Sequence, residues 1–256
     1  MLNLNLSGKL VVVTGASGDL GRVMARTLAD CGADVVVHYL KNKEMAEKVQ
    51  GEVKALGRKS IIAQADVTVE ADVNRMRDQV VKELGTPDII VNNAVIQYPW
   101  KPILEQPLED YESQFRSCVM HNVLMSKAFV PGMIAKAKGG RVIGINTECA
   151  MQNFVTQSAY VAGKRGMDGV MRILAKEVGK HQITVNQVAP GWTISDRTRA
   201  TAGDPNDNGY TKPVPMGRRG TDQEIANVVA FLASDLSSYV TGQYIAVCGG
   251  NVMPCI

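Results

Sequence analysis

Paired cysteines, clustered histidines, long apolar runs and charge of one sign are all missing from this chain, and each absence removes a class of protein. The five cysteines, Cys31, Cys118, Cys149, Cys248 and Cys255, are odd in number, widely spaced and free of any C-x-x-C pair. That argues against a disulfide framework and for a reducing compartment. The three histidines, His38, His121 and His181, lie far apart and show no ligand spacing, so no metal is expected. No apolar run approaches the roughly 18 residues of a membrane span. The start, Met1-Leu2-Asn3-Leu4-Asn5-Leu6, alternates apolar and polar residues without a basic segment, so no signal peptide is read. The chain is expected to be cytoplasmic, without a membrane partner. Lysine and arginine total 28 against 25 aspartates and glutamates, and Arg218-Arg219 and the Lys41/Lys43 pair are isolated, so nucleic acid is not implied as a partner.

What is present is an alternation. Leu10 to Thr14, Asp34 to Tyr39, Ser60 to Ala65, Asp88 to Asn92, Arg141 to Asn146, Thr184 to Val188 and Tyr244 to Val247 read as strands. Lys43 to Ala55, Val69 to Leu84, Tyr111 to Ala137, Ala159 to Val178 and Glu224 to Ala233 carry apolar residues at helical spacing. Val11-Val12-Val13 and Val35-Val36-Val37 are apolar on both faces, which places them inside a sheet covered on both sides. The pattern predicts an α/β fold, a doubly wound parallel sheet spanning 1–256 as one domain. No repeat or linker divides it. The stretch from Gly191 to Thr221 lacks periodicity and is rich in Gly, Pro, Asp, Asn and Thr. It reads as a substrate loop or lid, with a disordered insertion as the alternative.

Gly15, Gly18 and Gly21 follow the first strand and open a helix. In that context glycines permit close backbone approach, and a helix amino terminus offers N–H groups to a pyrophosphate. Dinucleotide binding is the expectation, a simple helix-start turn the alternative. Asp19 fits the first poorly, because a carboxylate there repels a nearby phosphate. The second strand ends His38-Tyr39-Leu40-Lys41, with Lys43 beyond and no acid to take the ribose hydroxyls. NADP(H) is therefore preferred, with NAD(H) as the alternative.

Tyr160 and Lys164, four residues apart, share one helix face. Lowering a phenol pKa from about 10 to about 7 needs about 4 kcal/mol. A unit charge about 4 Å away supplies roughly that at an effective dielectric near 20. Desolvation opposes it, so a second positive charge such as an oxidised nicotinamide is called for. By itself the pair also describes a solvated helix face.

With Thr147 thirteen residues before Tyr160, these motifs closely resemble the short-chain dehydrogenase/reductase family over essentially the whole chain. The resemblance implies a Rossmann-type sheet of about seven strands and a homotetramer, less often a dimer. It makes Tyr160 the general acid/base, Lys164 its pKa-lowering partner and ribose ligand, Thr147 the second hydroxyl and Asn122 a proton-relay residue. It also implies cofactor contacts from Gly15, Ser17, Gly18, Leu20, Gly21, Tyr39, Lys41, Asp66, Val67, Asn93, Ala94, Pro190, Gly191, Thr193 and Ser195. The implied activity is hydride transfer between a nicotinamide and a small-molecule carbonyl or secondary alcohol. A 3-oxoacyl thioester or small ketone is the expected substrate, with a sugar or polyol as the alternative. The polar residues Thr201, Asp204, Asn206, Asp207, Asn208 and Tyr210 favour the alternative, and the Val95, Ile96, Tyr98, Pro99, Trp100 segment opposes it. The chain departs from the family pattern in four ways: Val95 where a glycine is usual, Cys248 where an aspartate is, Thr147 in the place of a serine, and the Gly15/Gly18/Gly21 spacing. A catalytically weak nicotinamide-binding sensor is the reading from another class.

Overall fold

The computed structural model describes residues 4–195, 198, 199 and 209–253. Seven strands, β1 (Leu10–Val13), β2 (Asp34–Tyr39), β3 (Ser60–Gln64), β4 (Ile89–Asn92), β5 (Gly140–Ile145), β6 (Ile183–Pro190) and β7 (Tyr244–Val247), form one sheet ordered β3-β2-β1-β4-β5-β6-β7. Every pairing is parallel. The valine runs account for its centre: Val11, Val13, Val35 and Val37 belong to one buried cluster and Val12 and Val36 to the other, on opposite faces.

Helices α1 (Asp19–Asp30), α2 (Lys43–Ala55) and α8 (Asp222–Ala233) cover the first face. The second is covered by α3 (Glu70–Glu83), α5 (His121–Lys136) and α7 (Ser158–Val178). Because β1 pairs with both β2 and β4, the chain reverses its winding between β1 and β4. The crevice at the carboxyl ends of those strands is where open α/β sheets place ligands.

The stretch read as one helix from Tyr111 is one continuous helix over 108–136, made of α4 (Leu108–Gln114), a π-helical turn (Phe115–Met120) and α5. Asn122 donates back to the Cys118 carbonyl at 2.7 Å, a side-chain bond that competes with the regular backbone ladder at this junction. The run 108–136 is, contrary to the expectation from sequence, long and apolar enough to cross a membrane, with mean hydropathy 1.2. Most of its apolar window, 61%, is buried inside the protein, as in a core helix packed on a sheet. A short helix absent from the periodicity, α6 (Cys149–Gln152), follows β5.

Candidate active site

The β1–α1 turn is built by contacts from three other elements. Asn93 donates from Nδ2 to the Thr14 carbonyl at 3.0 Å, and the Asn93 and Ala94 amides donate to the Thr14 hydroxyl at 2.8 and 3.1 Å. Gly15 N–H donates 2.8 Å to Nδ1 of His38, whose Nε2 donates to the Ala65 carbonyl at 3.0 Å. The imidazole thus joins the ends of β1, β2 and β3 as a neutral ring. Helix α1 starts after Gly18 without a side-chain cap, so no capping side chain takes up its first-turn N–H groups. Ser17 and Leu20 are half-buried beside it, with Leu20 packed on the core.

Burial holds His38 down to about 4 and His121 to about 3. At neutral pH both are uncharged whether folded or not, so they cost nothing there. As pH falls below about 6.5 the unfolded chain takes up protons that the fold refuses, and stability falls until the folded values are reached. By about pH 4.5 the two rings together should cost about 5 kcal/mol at about 1.4 kcal/mol per pH unit each. Urea unfolding at about pH 7 and 4.5 measures this; equal stability would rule out buried neutral rings.

Asp66 accepts from the Thr68 amide and hydroxyl at 2.9 and 2.7 Å, so its carboxylate shapes the turn after β3, beside buried Val67. Tyr39 is buried among the side chains under α1 and α2, and Lys41 is exposed past the strand end. Asp19 is less awkward than its sequence position suggests: it pairs with Arg22 at 3.5 Å and accepts from the Ser195 hydroxyl at 3.1 Å. Thr193 donates to the Gly191 carbonyl at 2.9 Å, so both hydroxyls after Pro190 are engaged within the protein.

The other wall of the crevice gathers Thr147, Tyr160, Lys164 and Asn122. Helix α7 packs over β5 and β6, so Tyr160 faces the Thr147 hydroxyl, the group that most favours its phenolate. Thr147 is fixed at its amide, its hydroxyl and its carbonyl. Its amide donates to Asn146 Oδ1 at 2.9 Å, its hydroxyl accepts from Cys149 N–H at 3.2 Å, and its carbonyl accepts from Tyr244. Tyr160 N–H donates to the Tyr98 hydroxyl at 2.7 Å, and its ring stacks on Trp100 with centroids 6.5 Å apart. Asn122 is buried rather than on a helix surface, and accepts from Asn92 Nδ2 at 2.8 Å.

Lys164 Nζ lies 5.8 Å from the Tyr160 ring centroid and donates to the Ile145 carbonyl at 2.6 Å. Burial outweighs the favourable Thr147 hydrogen bond and pushes the Tyr160 pKa up, the desolvation that a second positive charge such as an oxidised nicotinamide is called on to offset. Burial likewise pushes Lys164 down.

The departures have local explanations. Val95 is half-buried and packs on the second core cluster. Cys248 Sγ accepts from Val252 N–H at 3.3 Å, closing the turn after β7. Thr201, Asp204, Asn206, Asp207 and Asn208 lie outside the described residues. Sequence reasoning missed Glu148, Asn146 and Trp192; nothing local marks them, since their partners are distant in the chain.

A family model described as enoyl-(acyl carrier protein) reductase matches residues 15–251. The 3-oxoacyl-[acyl-carrier-protein] reductase of Staphylococcus epidermidis is 36% identical, over 96% of this chain and 99% of its own. That of Escherichia coli is 37% identical, over 98% and 100%. Among solved structures, a 7α-hydroxysteroid dehydrogenase complexed with NADH and 7-oxo glycochenodeoxycholic acid superposes with TM-score 0.90 at 30% identity, covering 98% of this chain and 97% of that one. A short-chain type dehydrogenase/reductase from Mycobacterium marinum gives 0.88, also at 30% identity, covering 98% of each.

Proposed function

The chain belongs to the short-chain dehydrogenase/reductase family, and from that premise we propose that it reduces a 3-oxoacyl thioester or small ketone to the secondary alcohol, with Tyr160 as general acid. The observation that carries this reading is the meeting of the Tyr160 and Thr147 hydroxyls over β5, with Lys164 buried beside the ring. Two hydroxyls converging on one point suit a carbonyl oxygen on which negative charge develops. Burial keeps the phenol protonated, which suits the acid in the reducing direction. Asn122, held by Asn92, belongs to the path that reprotonates Tyr160.

The crevice suits a nicotinamide dinucleotide, because the uncapped start of α1 beside a braced glycine turn offers N–H donors for a diphosphate. Gly15, Ser17, Gly18, Leu20 and Gly21 would hold that part, and Tyr39 and Lys41 the adenosine ribose. Asp66, Val67, Asn93 and Ala94 would line the adenine side. Tyr160 and Lys164 would hold the nicotinamide ribose, and Pro190, Gly191, Thr193 and Ser195 its carboxamide. When bound, the dinucleotide supplies the reducing equivalent. The absence of an acid after β2 and the exposed Lys41 favour NADP(H), with NAD(H) as the alternative; the hydroxysteroid dehydrogenase was solved with NADH.

We read 1–256 as one domain with 191–221 as its substrate loop, working in the cytoplasm. A homotetramer is supported by apolar side chains left exposed on the long helices, Phe115 at 53% and Ile173 at 56%. The deciding experiment is turnover with NADPH and NADH on a panel of acetoacetyl thioester, simple ketones, sugars and an enoyl thioester. Reduction of the acetoacetyl thioester or a ketone with NADPH is expected. Activity confined to sugars, or to the enoyl double bond, would displace the reading.

A further inference from the structure

Glu148 follows Thr147 and is 1% exposed, yet it belongs to none of the chemistry above. Its amide donates to the Pro190 carbonyl at 3.0 Å, which ties the end of β5 to the end of β6. Its carboxylate collects groups from two other segments: Tyr210 donates to Oε1 at 2.6 Å, and Asn251 Nδ2 to Oε2 at 3.1 Å. A buried carboxylate is stable only with such donors around it.

Tyr210 also accepts from the Trp192 amide at 2.8 Å, and the two rings meet edge to face with centroids 5.4 Å apart. Arg219 lies over the indole at 4.2 Å and donates to the Trp192 and Thr193 carbonyls at 3.0 and 2.8 Å. Residue 192, near the start of the candidate substrate loop 191–221, and residue 210, within it, therefore meet at one point. Gly191 makes the approach possible, since a Cβ there would stand 2.6 Å from the Tyr210 oxygen.

We propose that Glu148 is a positioning residue whose carboxylate, through Tyr210, fixes the neck of the 192–210 loop against the strand end that carries Thr147. The proposal rests on the reading of Thr147 and Tyr160 as the reacting pair. Loop and reacting hydroxyl then share one anchor, so a substrate held by the loop is held in register with the chemistry. Thr147 keeps its own bonds to Asn146, Cys149 and Tyr244, so loosening the neck leaves the reacting groups in place.

The test uses Tyr210→Phe, Glu148→Ala and Glu148→Gln, read by steady-state kinetics and by tryptophan fluorescence. The chain has two tryptophans, so a Trp100→Phe background leaves Trp192 as the sole reporter at the neck. Loss of a hydrogen bond to a charged group should raise KM for the carbonyl substrate about tenfold in Tyr210→Phe, with kcat within about twofold. Acrylamide quenching of Trp192 should rise in Tyr210→Phe and Glu148→Ala. Glu148→Gln should restore both readouts. Its amide oxygen still accepts from Tyr210, and its nitrogen can donate to Asn251 Oδ1, a buried acceptor with no protein partner in the native arrangement. If Glu148→Ala fails to fold, the other two variants carry the test. Unchanged KM in Tyr210→Phe, or a fall in kcat alone, overturns the proposal. If no panel member is turned over, the function reading fails separately, and quenching decides: a rise in Tyr210→Phe supports the neck contact, no change refutes it.

Discussion

Tyr160→Phe is expected to cut turnover by a factor of about a thousand, within the range for losing a positioned general acid, while dinucleotide affinity stays within a few-fold. The substitution removes one oxygen and leaves the ring. Stacking on Trp100 survives, and so does the bond from the residue 160 amide to the Tyr98 hydroxyl, because neither uses the phenol. The structure sharpens why that oxygen matters. Burial keeps it protonated, and its hydroxyl neighbour is Thr147. Thr147 alone, with its proton uncommitted to any base, leaves charge on the substrate oxygen without a proton to follow it. Single-turnover measurements at saturating cofactor check the prediction. A rate within a few-fold of the native protein would remove Tyr160 from the chemistry.

Gly21→Ala is expected to lower dinucleotide affinity by at least about tenfold, the loss of roughly one charge-assisted hydrogen bond, with a lower melting temperature. A Cβ at residue 21 would lie 2.1 Å from the Gly15 carbonyl oxygen and 2.8 Å from Asn93 Nδ2. The first of these is backbone and cannot swing aside, so α1 must lift from the β1 turn. That movement spoils both partners of a diphosphate at once: the helix N–H groups shift, and the Asn93 bonds to Thr14 and Gly15 that brace the turn are strained. Gly21 therefore acts through helix packing, while the first turn of α1 supplies the donors. Titration of cofactor fluorescence measures the affinity directly. Native-like binding would mean that the turn tolerates the displaced helix.

Most of the sheet was legible in the sequence because its evidence is local. Buried parallel strands read as unbroken valine runs, and β2 and α2 begin and end where composition placed them. The glycine turn was legible for the same reason. The helix from Tyr111 was read as one, but not its π-helical turn: the Asn122 amide binds the Cys118 carbonyl, and periodicity carries no trace of that bond. The Tyr160–Lys164 spacing was read as one helix face, but the ammonium's own hydrogen-bond partner was not legible. The ammonium finds the Ile145 carbonyl, a partner set by how α7 lies on β5.

The sequence by itself determined the alternation of strands and helices, the position of the glycine turn and the residues grouped around Tyr160, because each depends on neighbours within a few turns of chain. Only the tertiary structure decided what Asp19, His38 and Glu148 do. Asp19 meets Ser195 across 176 residues and Glu148 meets Asn251 across 103. A buried charge or a neutral imidazole is defined by the donors that surround it, and those arrive only when distant segments fold onto the same strand ends.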